Sequence, residues 1–129
     1  MSVGIVLISH SHEVVEGLRK ILHQIQPEVE IAIAGGTEEN EIGTSAIKIK
    51  QAIEKADSES GVAVLFDLGS ALLNAQLAVE LLETNTKVAF CDAPLVEGAY
   101  TAVIEAGIGS SLEEVVKAAE SVKEVPKLL

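Results

Sequence analysis

The chain has no tryptophan, one tyrosine and two phenylalanines, so it lacks the aromatic faces on which nucleic-acid bases stack. Basic residues are also scarce. Nine of them stand against twenty acidic ones, and the resulting formal charge of −11 repels a phosphate backbone, which excludes nucleic acid as a partner. A field of that sign favours a basic patch on another protein instead. The one cysteine, Cys91, permits no internal disulfide and fits a reducing compartment. There is no basic N-terminal region, and no apolar run approaches the ~18 residues of a membrane span. The expectation is a cytoplasmic protein with no membrane contact. A single arginine, Arg19, and the lack of a GxxxxGK[ST] loop leave nothing to cradle a nucleotide, so no bound cofactor and no metal are expected on this chain.

What is present is mainly Val, Ile, Leu and Ala, within a hydrophobic content of 48%. These small and branched side chains suit helices packed tightly on a buried sheet. At 129 residues the length fits one domain, 1–129. GIVLIS, residues 4–9, reads as a buried strand. The polar break His10-Ser11-His12 follows it, and then Val14, Val15, Leu18, Ile21, Leu22 and Ile25 recur at helical spacing. VEIAIAGG (29–36) is a second strand, and TEENEIG an acidic loop. Thr44 or Ser45 caps a helix to about Ala56, in which Ile47, Ile49, Ala52, Ile53 and Ala56 cover the sheet. GVAVLFD (61–67) repeats the grammar of the first strand and stops on an aspartate. Leu68-Gly69 is a turn, Ser70 an N-cap candidate, and ALLNAQLAVELLE a helix with Leu72, Leu73, Leu77, Leu81 and Leu82 toward one face, closed by Asn85. TKVAFCDA (86–93) is a fourth strand, with Cys91 a small buried hydrophobe. Pro94 opens a helix to about Ala106, and Ser111 with Glu114 forms a capping box for a last helix to about Val122. The order βαβαβαβα plus a final α implies a doubly wound α/β domain, with a four-stranded parallel sheet ordered 2-1-3-4 and helices on both faces.

In that order strands one and three are neighbours, and His10 and Asp67 end them at the topological switch point. If the Asp67 carboxylate accepts a hydrogen bond from one imidazole nitrogen, it fixes the tautomer and leaves the other nitrogen as a nucleophile. A phosphoryl group placed there needs donors, which helix N-termini supply. The first turn from Ser11 and the Gly69-Ser70 turn both point to the spot. With no arginine clamp, the phosphate is held by backbone and hydroxyls, each contact worth about 0.3–1 kcal/mol, and is suited to being passed on. His12 is expected in the first helical turn and His23 on the helix surface.

The segments ISHS (8–11), AGGT (34–37), GTS (43–45), FDLGSALLNAQ (66–76) and DAPLVEGA (92–99) together resemble the DhaM family. These are phosphocarrier subunits of the phosphoenolpyruvate-dependent dihydroxyacetone kinases, related to the enzyme IIA domains of mannose-type sugar phosphotransferase systems. The resemblance implies a phosphotransferase subunit in which His10, oriented by Asp67, takes a phosphoryl group from the histidine phosphocarrier protein HPr. It passes the group to ADP on the kinase subunit DhaL, which phosphorylates dihydroxyacetone bound to DhaK. It also implies a homodimer and a stand-alone subunit. Phosphate contacts would fall to Ser11, Gly69 and Ser70, and partner contacts to Thr37, Gly43, Thr44 and Ser45. The turn after Asp67 is one residue shorter here than in the mannose-type domains.

Two other readings compete. A receiver-type signalling module also ends strand three on an aspartate, and would be phosphorylated at Asp67. It needs an acidic pair after strand one, where this chain has Ser9-His10-Ser11, and a lysine ending a fifth strand. A small-molecule or metal-binding α/β domain would use His10, His12 and Asp67, but an H-x-H pair across a strand-to-helix junction need not converge.

Overall fold

A computed structural model describes residues 2–128. Four parallel strands, β1 (Gly4–Ser9), β2 (Ile31–Gly35), β3 (Val62–Phe66) and β4 (Val88–Phe90), form one sheet in the order β2-β1-β3-β4. Five α-helices connect and follow them: α1 (His12–Ile25), α2 (Ala46–Ala56), α3 (Leu72–Glu80), α4 (Leu95–Gly107) and α5 (Leu112–Ser121). The fold is the doubly wound α/β arrangement the alternation of elements implies, with no fifth strand among the described residues. None of the helices is long and apolar enough to cross a membrane.

The strands are apolar on both faces because helices cover both. Ile5 and Leu7 of β1 pack with α1, α4 and α5. Val6 and Ile8, pointing the other way, pack with α2 and α3. The register Ile5↔Ile31 to Ser9↔Gly35 on one side and Gly4↔Val62 to Ile8↔Phe66 on the other brings the carboxyl ends of β1, β2 and β3 level. Gly35 lets α1 start close to the sheet: a Cβ there would lie 2.6 Å from the His12 Cα and 2.8 Å from the Ser11 carbonyl oxygen.

Helix starts follow local chemistry. Ser11 caps α1 through its hydroxyl and the Val14 N–H, Ser45 caps α2 through the Lys48 N–H, and Ser111 with Glu114 completes the capping box of α5. Of the two cap candidates before α2, the structure uses Ser45.

Six expectations fail, those about buried faces for packing reasons. The buried line of α1 is Val15, Leu18 and Leu22, while Val14, Ile21 and Ile25 are exposed. They form a second line about 70° around the helix, outside the narrow contact with the sheet. Ile47 of α2 is likewise exposed. In the third helix, Ala71, Ala75 and Ala78 face the sheet and Leu73, Leu77 and Leu81 face outward, because small side chains allow the closer approach. This helix also ends at Glu80, before Asn85, and opens from a 3-10 turn, Gly69–Ala71, with no side-chain cap. Ser70 is therefore not an N-cap. Strand β4 keeps only three of its eight expected residues, 88–90, although the Cys91 N–H continues the ladder to the Val64 carbonyl at 2.9 Å.

Candidate functional site

The site forms where the ladder between β1 and β3 ends. The Asp67 N–H donates to the Ile8 carbonyl at 3.1 Å, which sets Asp67 beside His10 one residue beyond the last paired strand positions. The two oxygens of Asp67 then divide four donors between them. Oδ1 accepts from the Leu68 N–H at 2.7 Å and faces His10 Nδ1 at 3.0 Å. Oδ2 accepts from the Ser9 hydroxyl at 2.9 Å and from the His10 N–H at 3.0 Å.

Partial burial acts to raise the pKa of Asp67. The bonds from the His10 N–H, the His10 ring, the Ser9 hydroxyl and the Leu68 N–H outweigh it, so the carboxyl lies below its ordinary value of 3.8. At neutral pH the group is a carboxylate and only accepts hydrogen bonds. Nδ1 must therefore carry the proton in the Nδ1···Oδ1 contact, and in the neutral ring the lone pair resides on Nε2. That nitrogen lies 3.0 Å from the Ser70 hydroxyl, which donates to it. The His10 side chain is 24% exposed and that of Asp67 is 21% exposed, so the pair sits in a shallow recess that a partner's reactive group can reach.

Asp67 is a poor nucleophile in this setting, because every donor around it binds the lone pairs an attack would use. His10 is the opposite case. Its backbone is gripped at both polar atoms, by Asp67 Oδ2 on the N–H and by the Gly43 N–H on the carbonyl at 2.9 Å. Its ring is held by one nitrogen, and the other is available.

The remaining expected residues divide into framework and rim. Ser11 spends its N–H on Ser9 Oγ at 3.0 Å and its hydroxyl on the α1 cap and on Glu13, so its polar groups already serve the framework of the site. Gly69 is open, with nothing within 4 Å of a notional Cβ. Thr37 closes the acidic loop, its N–H donating to the Glu41 carbonyl and its hydroxyl accepting from the Glu41 N–H. Lys48 pins that loop by donating to Gly35 O, Thr37 O and Asn40 Oδ1 at 2.7, 3.1 and 2.7 Å. Gly43 holds a backbone φ of +141°, and a Cβ there would lie 2.9 Å from Thr37 Cγ2. Thr44 accepts from the Asn74 amide at 2.7 Å, and Ser45 is occupied as the α2 cap. Thr37, Gly43, Thr44 and Ser45 thus lie along one lip of the recess.

His12 faces Glu16, with Nε2 3.5 Å from Oε2, and His23 is exposed. Among the described residues no group of three or more His, Cys, Asp or Glu side chains gathers in a way that holds a metal. Cys91 is 1% exposed, and burial, aided by the charge of Glu120, pushes its thiol up to about 12. It behaves as a core residue.

Ser9 and Asn74 were not singled out from sequence. Ser9, at 1% exposure the only buried polar side chain among the described residues, bridges Asp67 Oδ2 and the Ser11 N–H. A serine ending a strand of otherwise apolar residues, next to a strand ending in aspartate, was the available signal. Asn74 lies one helical turn after Ser70, so the element that places a hydroxyl on Nε2 also ties down Thr44.

Comparison with known proteins identifies the family. The profile of the EIIA-man family, PTS system fructose IIA component, matches residues 4–116. The phosphoryl donor subunit DhaM of an Escherichia coli K12 PEP-dependent dihydroxyacetone kinase is 41% identical over 120 residues; the match covers 88% of this chain and 25% of that protein, about a quarter of its length. DhaM of dihydroxyacetone kinase 2 from Listeria innocua is 37% identical over 118 residues, covering 89% of this chain and 94% of the relative. The crystal structure of EF1359, a protein of unknown function, superposes with a TM-score of 0.82 at 34% identity, covering 94% of each chain. With the family profile matched along most of its length and a relative of near-equal extent, the chain belongs to the EIIA-man family and, within it, to the DhaM group.

Proposed function

We propose that this chain is the phosphoryl donor subunit of a phosphoenolpyruvate-dependent dihydroxyacetone kinase, acting in the cytoplasm through a phosphohistidine at His10 Nε2. The observation that carries the reading is the 3.0 Å contact from His10 Nδ1 to an ionised Asp67, which leaves Nε2 as the basic nitrogen. The phosphoryl group arrives from HPr. The Nε2 lone pair attacks phosphorus, and the donor's P–N bond breaks with its electron pair returning to the donor ring. As the His10 ring becomes cationic, Asp67 Oδ1 stabilises the charge across the Nδ1–H bond. Ser70 turns its hydroxyl from Nε2 to a phosphoryl oxygen, so the nucleophile is uncovered as the product gains a donor. Few donors and no arginine hold the group, which keeps it transferable to ADP on DhaL and from there to dihydroxyacetone on DhaK. HPr and DhaL must reach the same nitrogen, so their binding is mutually exclusive. The chain acts as a homodimer.

The test is phosphoryl transfer from labelled phosphoenolpyruvate through enzyme I and HPr to wild type, His10→Ala and His12→Ala. Label is expected on wild type and His12→Ala, in an acid-labile and base-stable linkage, and absent from His10→Ala. A base-labile acyl phosphate, or label on His10→Ala, would overturn the assignment.

A further inference from the structure

The main chain on either side of His10 is held from a single loop. Gly36, which follows β2, donates its N–H to the Ser9 carbonyl at 3.1 Å, and Gly43, which precedes α2, donates its own to the His10 carbonyl at 2.9 Å. These two glycines, at φ +74° and +141°, are also the joints of the loop, since a residue with a Cβ adopts such conformations only with strain. Between them the chain forms a turn closed by its own bonds. The Thr37 N–H donates to the Glu41 carbonyl, the Asn40 N–H to the Thr37 carbonyl and the Glu41 N–H to the Thr37 hydroxyl. A turn closed in this way moves as a unit, and any swing of it rotates the two N–H groups that fix His10.

What ties the turn to the sheet is Lys48. From the first turn of α2 its ammonium donates to Gly35 O before the first joint, and to Thr37 O and Asn40 Oδ1 beyond it, at 2.7, 3.1 and 2.7 Å. All three of its donors are used. The Asn40 contact falls on the one non-glycine residue with positive φ among those described, at +62°, a conformation that needs support. Lys48 makes no ion pair among the described residues, although Glu38, Glu39 and Glu41 lie in the same loop. In a chain with twenty acidic residues and nine basic ones, a lysine committed wholly to neutral oxygens serves geometry ahead of charge. Its own N–H donates to Ser45 Oγ at 3.2 Å, which anchors the clamp to the helix end that follows Gly43. We infer that Lys48 is a positioning residue for phosphoryl transfer: it locks the turn between β2 and α2 so that Gly36 and Gly43 hold the main chain of His10, as Asp67 holds its ring. This rests on the carrier reading above. Asp67 decides which nitrogen carries the lone pair, and Lys48 decides where that nitrogen points; a misplacement of about 1 Å between reacting atoms costs about a hundredfold in rate.

The experiment measures phosphoryl uptake from phospho-HPr by wild type, Lys48→Met, Lys48→Ala, Asn40→Gly and, as a control in the last turn of α2, Lys55→Met. Amide hydrogen exchange at Gly43 is followed by NMR on the same proteins. Lys48→Met keeps the length of the side chain and removes its donors, so kcat should fall about tenfold to a hundredfold with KM for phospho-HPr changing much less, and the Gly43 N–H should lose protection. Asn40→Gly accepts the same φ and deletes one of the three acceptors; a smaller loss of about threefold is expected, and this variant keeps the test open if the Lys48 variants do not fold. In Lys48→Ala, added n-propylammonium replaces the missing atoms and should restore uptake, whereas tetramethylammonium, of equal charge with no N–H to donate, should not. Lys55→Met should stay within about twofold of wild type. A folded Lys48→Met that loads at the wild-type rate with Gly43 still protected would overturn the assignment. So would equal rescue by both ammonium ions, which would reduce Lys48 to its charge, or a rise in KM at unchanged kcat, which would make it a docking contact for the donor. If wild type itself takes no label, the carrier reading fails, and Gly43 exchange then decides the clamp on its own.

Discussion

Asp67→Asn tests the chemistry of the site most directly, because the side chain keeps its shape but accepts at only one of its two ends. Four donors converge on the wild-type carboxylate, two on each oxygen. An asparagine must present its NH2 at one of those two places. At the Oδ1 position it opposes the Leu68 N–H and forces His10 Nδ1 to become the acceptor, which moves the ring proton to Nε2 and removes the nucleophile. At the Oδ2 position it opposes the His10 N–H, and the oxygen left on Nδ1 is neutral. Both arrangements set an amide against a backbone N–H that has no other partner among the bonds described.

A hydrogen bond to a charged group is worth about 1.5–3 kcal/mol, and a fixed wrong tautomer adds to its loss. Phosphoryl uptake should therefore slow by about two to four orders of magnitude, the range in which replacing a carboxylate that orients a catalytic histidine acts elsewhere. The assay is rapid-quench uptake from phospho-HPr at saturating donor, with folding checked by circular dichroism. A folded Asp67→Asn variant transferring within threefold of wild type would refute the orienting role and the Nε2 assignment with it.

The same residue makes stability depend on pH. A folded-state pKa held below the ordinary 3.8 contributes stability that is present in full above that value and is lost as pH falls through the folded value; the urea midpoint gap between wild type and Asp67→Asn should thus narrow from pH 7 to pH 3. Ser9→Ala removes a donor to Asp67 and strands the Ser11 N–H, so a loss of about 2–4 kcal/mol in urea unfolding is expected, with Ser9→Thr restoring most of it. Asn74→Ala and Thr44→Val each delete the same 2.7 Å bond; in a double-mutant cycle on phosphoryl uptake their effects should be non-additive, with a coupling of about 0.5–1.5 kcal/mol. Cys91, its thiol pushed up to about 12, should resist iodoacetamide at pH 8 in the native protein and react only in urea, as followed by mass spectrometry.

The strand order and the meeting of His10 with Asp67 were legible from sequence, because each follows from period and topology. An apolar run, a polar break and a 3.6-residue stripe state a βα unit, and two such units in the order 2-1-3-4 bring their carboxyl ends together. What escaped was decided by rotation and by competition for hydrogen bonds. A leucine-rich stretch does not reveal that alanines will take the sheet side of the helix. Nor does Gly69-Ser70 reveal whether the serine will cap a helix or meet an imidazole, since a hydroxyl can do either. The same competition explains Ser11 and Ser45, whose hydroxyls became caps on neighbouring helices while Ser70 alone was left for Nε2.

That allocation explains how one small recess can both accept and release a phosphoryl group. Groups that would grip phosphate permanently are either absent from the recess, as Arg19 is, or already spent: the Ser11 N–H on Ser9, the Ser11 and Ser45 hydroxyls on helix ends, and Lys48 on the carbonyls of Gly35 and Thr37. What remains at Nε2 is the single Ser70 hydroxyl on a 3-10 turn and the partial charge of a short helix start. Their combined hold on a phosphoryl oxygen amounts to about 1–2 kcal/mol, a factor of roughly five to thirty in an equilibrium, while the Asp67–His10 bond acts on the ring and strengthens as its charge develops. The site therefore favours the crossing of the group more than its retention. A variant that adds a fixed cation at the rim, Gly69→Arg in the open position beside Ser70, should load from phospho-HPr and release to ADP more slowly than wild type, so that phosphorylated carrier accumulates at steady state; faster release would show that the hold on phosphate does not limit the step.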